Sequence, residues 1–173
     1  MKDLSIPEMY TKHVLVLGCG NILFGDDGFG PEAIANLKKN YTIPENTCVI
    51  NAGTSVRKIL FPIILDEQRP KYIIIVDALD VGRTPGELFE IPLEDIPVNK
   101  IDDFSMHQLP TSNLLKELQD FCNVKVIIIA VQVESIPPMV KPGLSESLVE
   151  VLPKTCEMIM KKIRESNKIN GNP

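Results

Sequence analysis

The chain has 173 residues, 44% of them hydrophobic, which is single-domain length with enough apolar material for a sizeable core. A net charge of -5 without a Lys/Arg cluster argues against nucleic acid or anionic membrane as a partner. No apolar run approaches the ~20 residues needed to cross a bilayer, and residues 1–7 lack the apolar core of a secretory signal, so a soluble cytoplasmic protein is expected. Cys19, Cys48, Cys122 and Cys156 lie far apart with no Cys-x-x-Cys pair. That spacing speaks against a zinc knuckle or dithiol redox site and predicts reduced, mostly buried thiols.

In chain order, residues 1–12 read as a polar lead-in that contributes little, and His13 as a solvated or packed residue at a strand entry. Val14 to Leu17 suits a strand buried on both faces, with Gly18 and Gly20 letting the backbone turn at its end. Gly25-Asp26-Asp27-Gly28 then sets two adjacent carboxylates in a glycine-framed loop, Asp26 expected in solvent. Pro31, at the first helical position, opens a helix carrying Ala33, Ile34 and Leu37, which Lys38, Lys39 and Asn40 close. Thr47 to Ile50 reads as a second strand. Thr54 or Ser55 caps the next helix, with Val56, Ile59, Leu60, Ile63 and Ile64 on one side and Pro62 expected to kink or shorten it.

Tyr72 to Val76 is strongly β-branched and reads as a central strand with Asp77 at its C-terminal tip. After the turn cluster Gly82 to Gly86, Glu87 to Ile91 suits a short edge strand. Ser105-Met106-His107-Gln108 lies in a loop before a helix capped by Thr111, with Leu114, Leu115, Leu118 and Phe121 inward. Val124 to Val131 is a further apolar strand, and Gln132 to Pro142 a long surface loop. The last helical pattern, from Leu144 to Ile163, contains Pro153, expected to divide or bend it, and the tail from about Glu165 to Pro173 is expected to fray.

Strands alternating with helices point to an open, mostly parallel sheet covered on both faces, with an antiparallel edge strand. Ligands bind such sheets outside the carboxyl ends of the strands. Two nucleotide motifs fail here. Leu23 stands where Gly-x-Gly-x-x-Gly needs its third glycine, and Asp26 and Asp27 replace the Lys and Ser/Thr of a phosphate loop. Paired carboxylates instead suit a cation. Asp27, Asp77 and His107 make a plausible three-ligand divalent-metal site with open positions. Each also has an ordinary reading: Asp27 offsets the dipole of the following helix, Asp77 forms a turn, and His107 is a hydrogen-bonding loop residue.

The stretch LVLGCGNILFGDDGFGP, Leu15 to Pro31, resembles the opening motif of the nickel-iron hydrogenase maturation endopeptidases, and IIVDA at Ile74–Ala78 and SMHQL at Ser105–Leu109 resemble that family's two later motifs. The resemblance runs from about His13 to Ile163 and looks most like the branch serving the coenzyme F420-reducing hydrogenase. It implies a three-layer α/β/α sandwich and a single peptidase domain over residues 1–173. The implied activity removes the C-terminal extension of the hydrogenase large-subunit precursor after nickel insertion. The family's metal-contacting and catalytic positions correspond to Asp27, Asp77 and His107, with nickel supplied by the substrate and other divalent ions able to occupy the site. A monomer acting on that precursor is expected, with Gly82 to Pro110 and Gln132 to Pro142 as docking loops and Glu134 as a contact. Three alternatives stay open: an aspartate dyad of Asp27 and Asp77 sharing a proton, a non-catalytic nickel-checking protein, and a nucleotide-binding module.

Overall fold

The computed structural model describes residues 7–96 and 111–169. Its strands are Val14–Cys19 (β1), Thr47–Gly53 (β2), Tyr72–Leu79 (β3), Leu88–Glu90 (β4) and Lys125–Gln132 (β5), in the spatial order β2-β1-β3-β5-β4. All neighbours run parallel except the edge strand β4, which is antiparallel to β5. The helices are Glu8–Thr11 (α1), Phe29–Asn40 (α2), Val56–Leu65 (α3), Thr111–Phe121 (α4) and Glu146–Lys168 (α5).

Because side chains alternate along a strand, the apolar runs supply two cores. On one face Val14, Val16, Ile74 and Val76 pack with Phe29, Ile34 and Leu37 of α2 and Leu148, Ile159 and Ile163 of α5. On the other, Leu15, Leu17, Ile73 and Ile75 meet Leu60 and Ile63 of α3 and Leu114, Leu115 and Leu118 of α4. This is the three-layer α/β/α arrangement, with β3 at its centre. Among the described residues no helix is long and apolar enough to cross a membrane.

Several local expectations are corrected. The polar lead-in carries α1, whose Tyr10 is buried in the second core, and burial raises its phenol pKa. His13, read as solvated or packed at the strand entry, is packed: it lies edge-on against Tyr72, and its Nε2 is 3.3 Å from the Ser166 carbonyl oxygen. Helix α2 starts at Phe29, which makes Pro31 its third residue. That still lies in the first turn, where a missing N–H costs no helical bond. Pro153 does not divide its helix, α5 running unbroken for 23 residues, and the helix carrying Pro62 continues past it to Leu65. Both prolines are exposed, as are Lys58 and Val149 four residues earlier. The lost helical bond therefore falls on the solvent side, where water can serve the carbonyl left without its N–H.

Of the tail expected to fray, the part up to Lys168 is helical and held: Ser166 is buried and the Asn167 and Asn46 side chains are 2.8 Å apart, while residues 170–173 lie outside the described residues. Phe121 is 84% exposed, not inward. Asn123 turns the chain with φ +54°, and Val124 takes the buried place, its N–H donating to the Leu118 carbonyl. All four cysteines are thiols; Cys19 and Cys156 are buried, and burial pushes the Cys156 thiol up to about 11.

Candidate active site

Two features of the backbone bring Asp77 and Asp27 to the carboxyl rim of the sheet. Pairing of β1 with β3 ends at Gly18 and Val76, whereas β3 continues beside β5 as far as Leu79 and Gln132. Asp77 is therefore not at the strand tip but at the first position of β3 beyond its pairing with β1. It is half-buried, whereas every other residue of β3 is buried.

After β1, Gly20 adopts φ +126°, and the chain crosses the rim to a single 3-10 turn, Gly25–Gly28, that feeds α2. A Cβ placed on Gly20 would lie 1.9 Å from the Asp27 carbonyl oxygen and 3.7 Å from Asp77 Oδ1. The Asp27 backbone and the Asp77 carboxylate thus meet at a position that only glycine fits. Each carboxylate is oriented by a backbone donor, Asp27 Oδ2 by the N–H of Asn21 at 2.9 Å and Asp77 Oδ1 by the N–H of Ala78 at 2.8 Å. Such bonds hold a ligand-type carboxylate in one orientation. The two half-buried acids are hard oxygen donors that suit a divalent cation or a proton taken from water. His107 lies outside the described residues, and among those described no group of three His, Cys, Asp or Glu is placed to hold a metal ion.

Asp26 is not solvated. It is 1% exposed and accepts hydrogen bonds from the N–H groups of Glu134 (2.8 Å), Ser135 (3.1 Å) and Ser145 (2.7 Å), and from the Ser145 hydroxyl (2.8 Å). An ionised carboxylate accepts only, so a pocket made of donors matches it. This residue clamps both ends of the loop after β5 onto the loop that carries Asp27. The backbone adds two more ties, Lys141 N–H to the Leu23 carbonyl (2.8 Å) and Gly25 N–H to the Lys141 carbonyl (2.9 Å). Asp26→Asn turns an amide N–H₂ toward those donors and is expected to cost about 2 kcal/mol. Limited proteolysis should then cut the 133–145 loop sooner, and a cleavage rate equal to wild type would refute the clamp.

Gln132, also missed from sequence, is buried and organises the adjoining turn. Its Oε1 accepts from the N–H groups of Val81 (2.9 Å) and Arg83 (3.1 Å), while Nε2 donates to Asp80 (3.0 Å). Arg83 lies 4.1 Å from the Phe89 ring centre and bonds Glu87, whose carboxyl it holds below the usual range. Nothing local distinguishes Asp26 or Gln132 from surface polar residues, since their partners are remote or belong to the backbone.

A family model described as hydrogenase maturation protease matches residues 31–162. A provisionally named hydrogenase maturation protease of Methanocaldococcus jannaschii is 37% identical over 158 residues, covering 91% of this chain and 100% of that protein. The Methanothermobacter thermautotrophicus protein named coenzyme F420 hydrogenase subunit delta is 35% identical, over 89% of this chain and 96% of its own. Among solved structures, the hydrogenase maturating endopeptidase of E. coli superposes with a TM-score of 0.71 at 25% identity, covering 89% of this chain and 93% of that one.

Proposed function

The chain belongs to the hydrogenase maturation protease family, and from that premise we propose that it removes the C-terminal extension of a nickel-iron hydrogenase large-subunit precursor once nickel is in place. The observation that supports this reading is the approach of the Asp27 main chain and the Asp77 carboxylate to one point beside Gly20 on the carboxyl rim. In the proposal these two carboxylates and the His107 imidazole face the nickel that the precursor brings. Nickel so placed would supply Lewis acidity to the scissile carbonyl. Asp27 or Asp77 takes the proton from the attacking water, and their backbone donors, Asn21 and Ala78, keep the carboxylates aimed as charge develops.

Similarity to the protein named coenzyme F420 hydrogenase subunit delta favours the F420-reducing hydrogenase as the source of the precursor. The enzyme acts in this proposal as a cytoplasmic monomer.

The test uses purified large-subunit precursor, nickel-loaded or nickel-free, incubated with the protein and weighed by mass spectrometry. Only the loaded precursor should lose mass, from its carboxyl end. Binding without shortening would replace the peptidase with a nickel-checking protein, and shortening of both forms would remove nickel from the recognition step.

A further inference from the structure

Five large apolar side chains stand exposed on two loops that adjoin the site: Ile22 and Leu23 before the 3-10 turn, and Ile136, Met139 and Val140 after β5. Met139 is 77% and Val140 64% exposed. The loops form one surface because Phe24 and Lys141 pair as a parallel bridge, and because a Cβ on Gly25 would come within 2.8 Å of the Pro137 ring. They are also fixed in place. Asp26 holds the second loop at Glu134, Ser135 and Ser145, so this ledge is ordered before anything binds it, which lowers the entropic cost of binding.

The ledge borders the Asp27 carboxylate directly. A Cβ on Gly28, the residue after Asp27, would lie 2.9 Å from the Ile22 Cα, and the N–H of Asn21 bonds the Asp27 carboxylate itself. A polypeptide whose scissile bond sits at Asp27 and Asp77 must cross the loops that adjoin them. Large apolar side chains left exposed together on two joined loops of a folded protein mark an interaction site.

We propose that this ledge docks an apolar stretch of the hydrogenase large-subunit precursor beside its scissile bond, and so sets which precursor is cut. The proposal deepens the peptidase reading and rests on it for the identity of the partner. Asp26 acts here as a positioning residue that holds the ledge in register with Asp27.

The test measures binding of nickel-loaded precursor by biolayer interferometry, in an Asp77→Asn background that prevents turnover, alongside cleavage kinetics without that substitution. Met139→Asp with Val140→Asp, and separately Ile136→Asp, alter exposed side chains. Each is expected to raise Kd about tenfold or more and to lower kcat/KM through KM. Phe121→Asp, equally exposed but at the opposite end of β5, serves as the control and should match wild type.

Unchanged precursor binding by both ledge variants overturns the proposal, as does a loss of self-association in those variants with precursor binding intact, which would assign the ledge to a second copy of the chain. Ledge-dependent binding without any cleavage leaves the docking surface standing and removes the peptidase. Absence of both binding and cleavage in the wild type overturns both.

Discussion

Asp77→Asn is expected to lower cleavage of nickel-loaded precursor about a thousandfold, within the range found for losing a positioned acid–base group. Asparagine keeps the shape of the side chain and an oxygen to accept the Ala78 N–H, but it loses the charge that would attract a cation and the capacity to take a proton. Asp27→Asn should act similarly, because its amide oxygen can still receive the Asn21 N–H. For both, the melting temperature should stay within about 3 °C of wild type, a shift of roughly 1 kcal/mol in a chain of this size. His107→Ala is expected to join them if the imidazole completes the donor set. The measurement is a single-turnover time course on loaded precursor. Normal rates in all three variants would refute the site assignment, while loss of activity together with unfolding would reassign the acids to structure.

The largest expected effect on stability comes from a single methyl group. A Cβ on Gly30 would fall 2.2 Å from the Cys19 carbonyl oxygen, 2.5 Å from the Cys19 nitrogen and 2.5 Å from the Val76 carbonyl oxygen. These atoms are the backbones of β1 and β3. No rotamer change relieves such a clash, so α2 must move off the sheet or the strands must part. Gly30→Ala is therefore expected to cost about 3 kcal/mol or more, above the usual cost of an overpacked core. At this chain length that lowers the melting temperature by roughly 10 °C. Gly18→Ala should behave alike, since its Cβ would meet the Gly30 carbonyl oxygen at 2.4 Å. Thermal unfolding followed by circular dichroism checks both. A change of less than about 2 °C would mean that the contact between α2 and β1 is looser than described.

Gly18 shows where a sequence reading stops. It was expected to turn the chain, yet it lies within β1 and is paired with Asn51 and Val76. Its reason for being glycine is the nearness of α2, a contact between segments that local pattern does not connect. Gly20 does make the turn, with φ +126°, and that follows from local chemistry. Phe121 is a similar case. Helical spacing from Leu118 put it inward, but the reversal at Asn123 ended the helix and handed the buried place to Val124.

The sequence by itself determined the succession of strands and helices, the central place of the Tyr72 strand, the antiparallel edge near Glu87 and the presence of Asp27 and Asp77 at one rim. All of these follow from hydrophobic period and β-branching, which are carried by neighbouring residues and survive whatever the rest of the chain does. Only the tertiary structure decided that Asp77 stands just past the last β1–β3 pair, because register is a property of two strands and not of one. It alone showed Asp26 buried under the N–H groups of Glu134, Ser135 and Ser145, partners 108, 109 and 119 residues away. A carboxylate becomes a clamp only where folding delivers donors to it, and adjacent residues do not record that delivery.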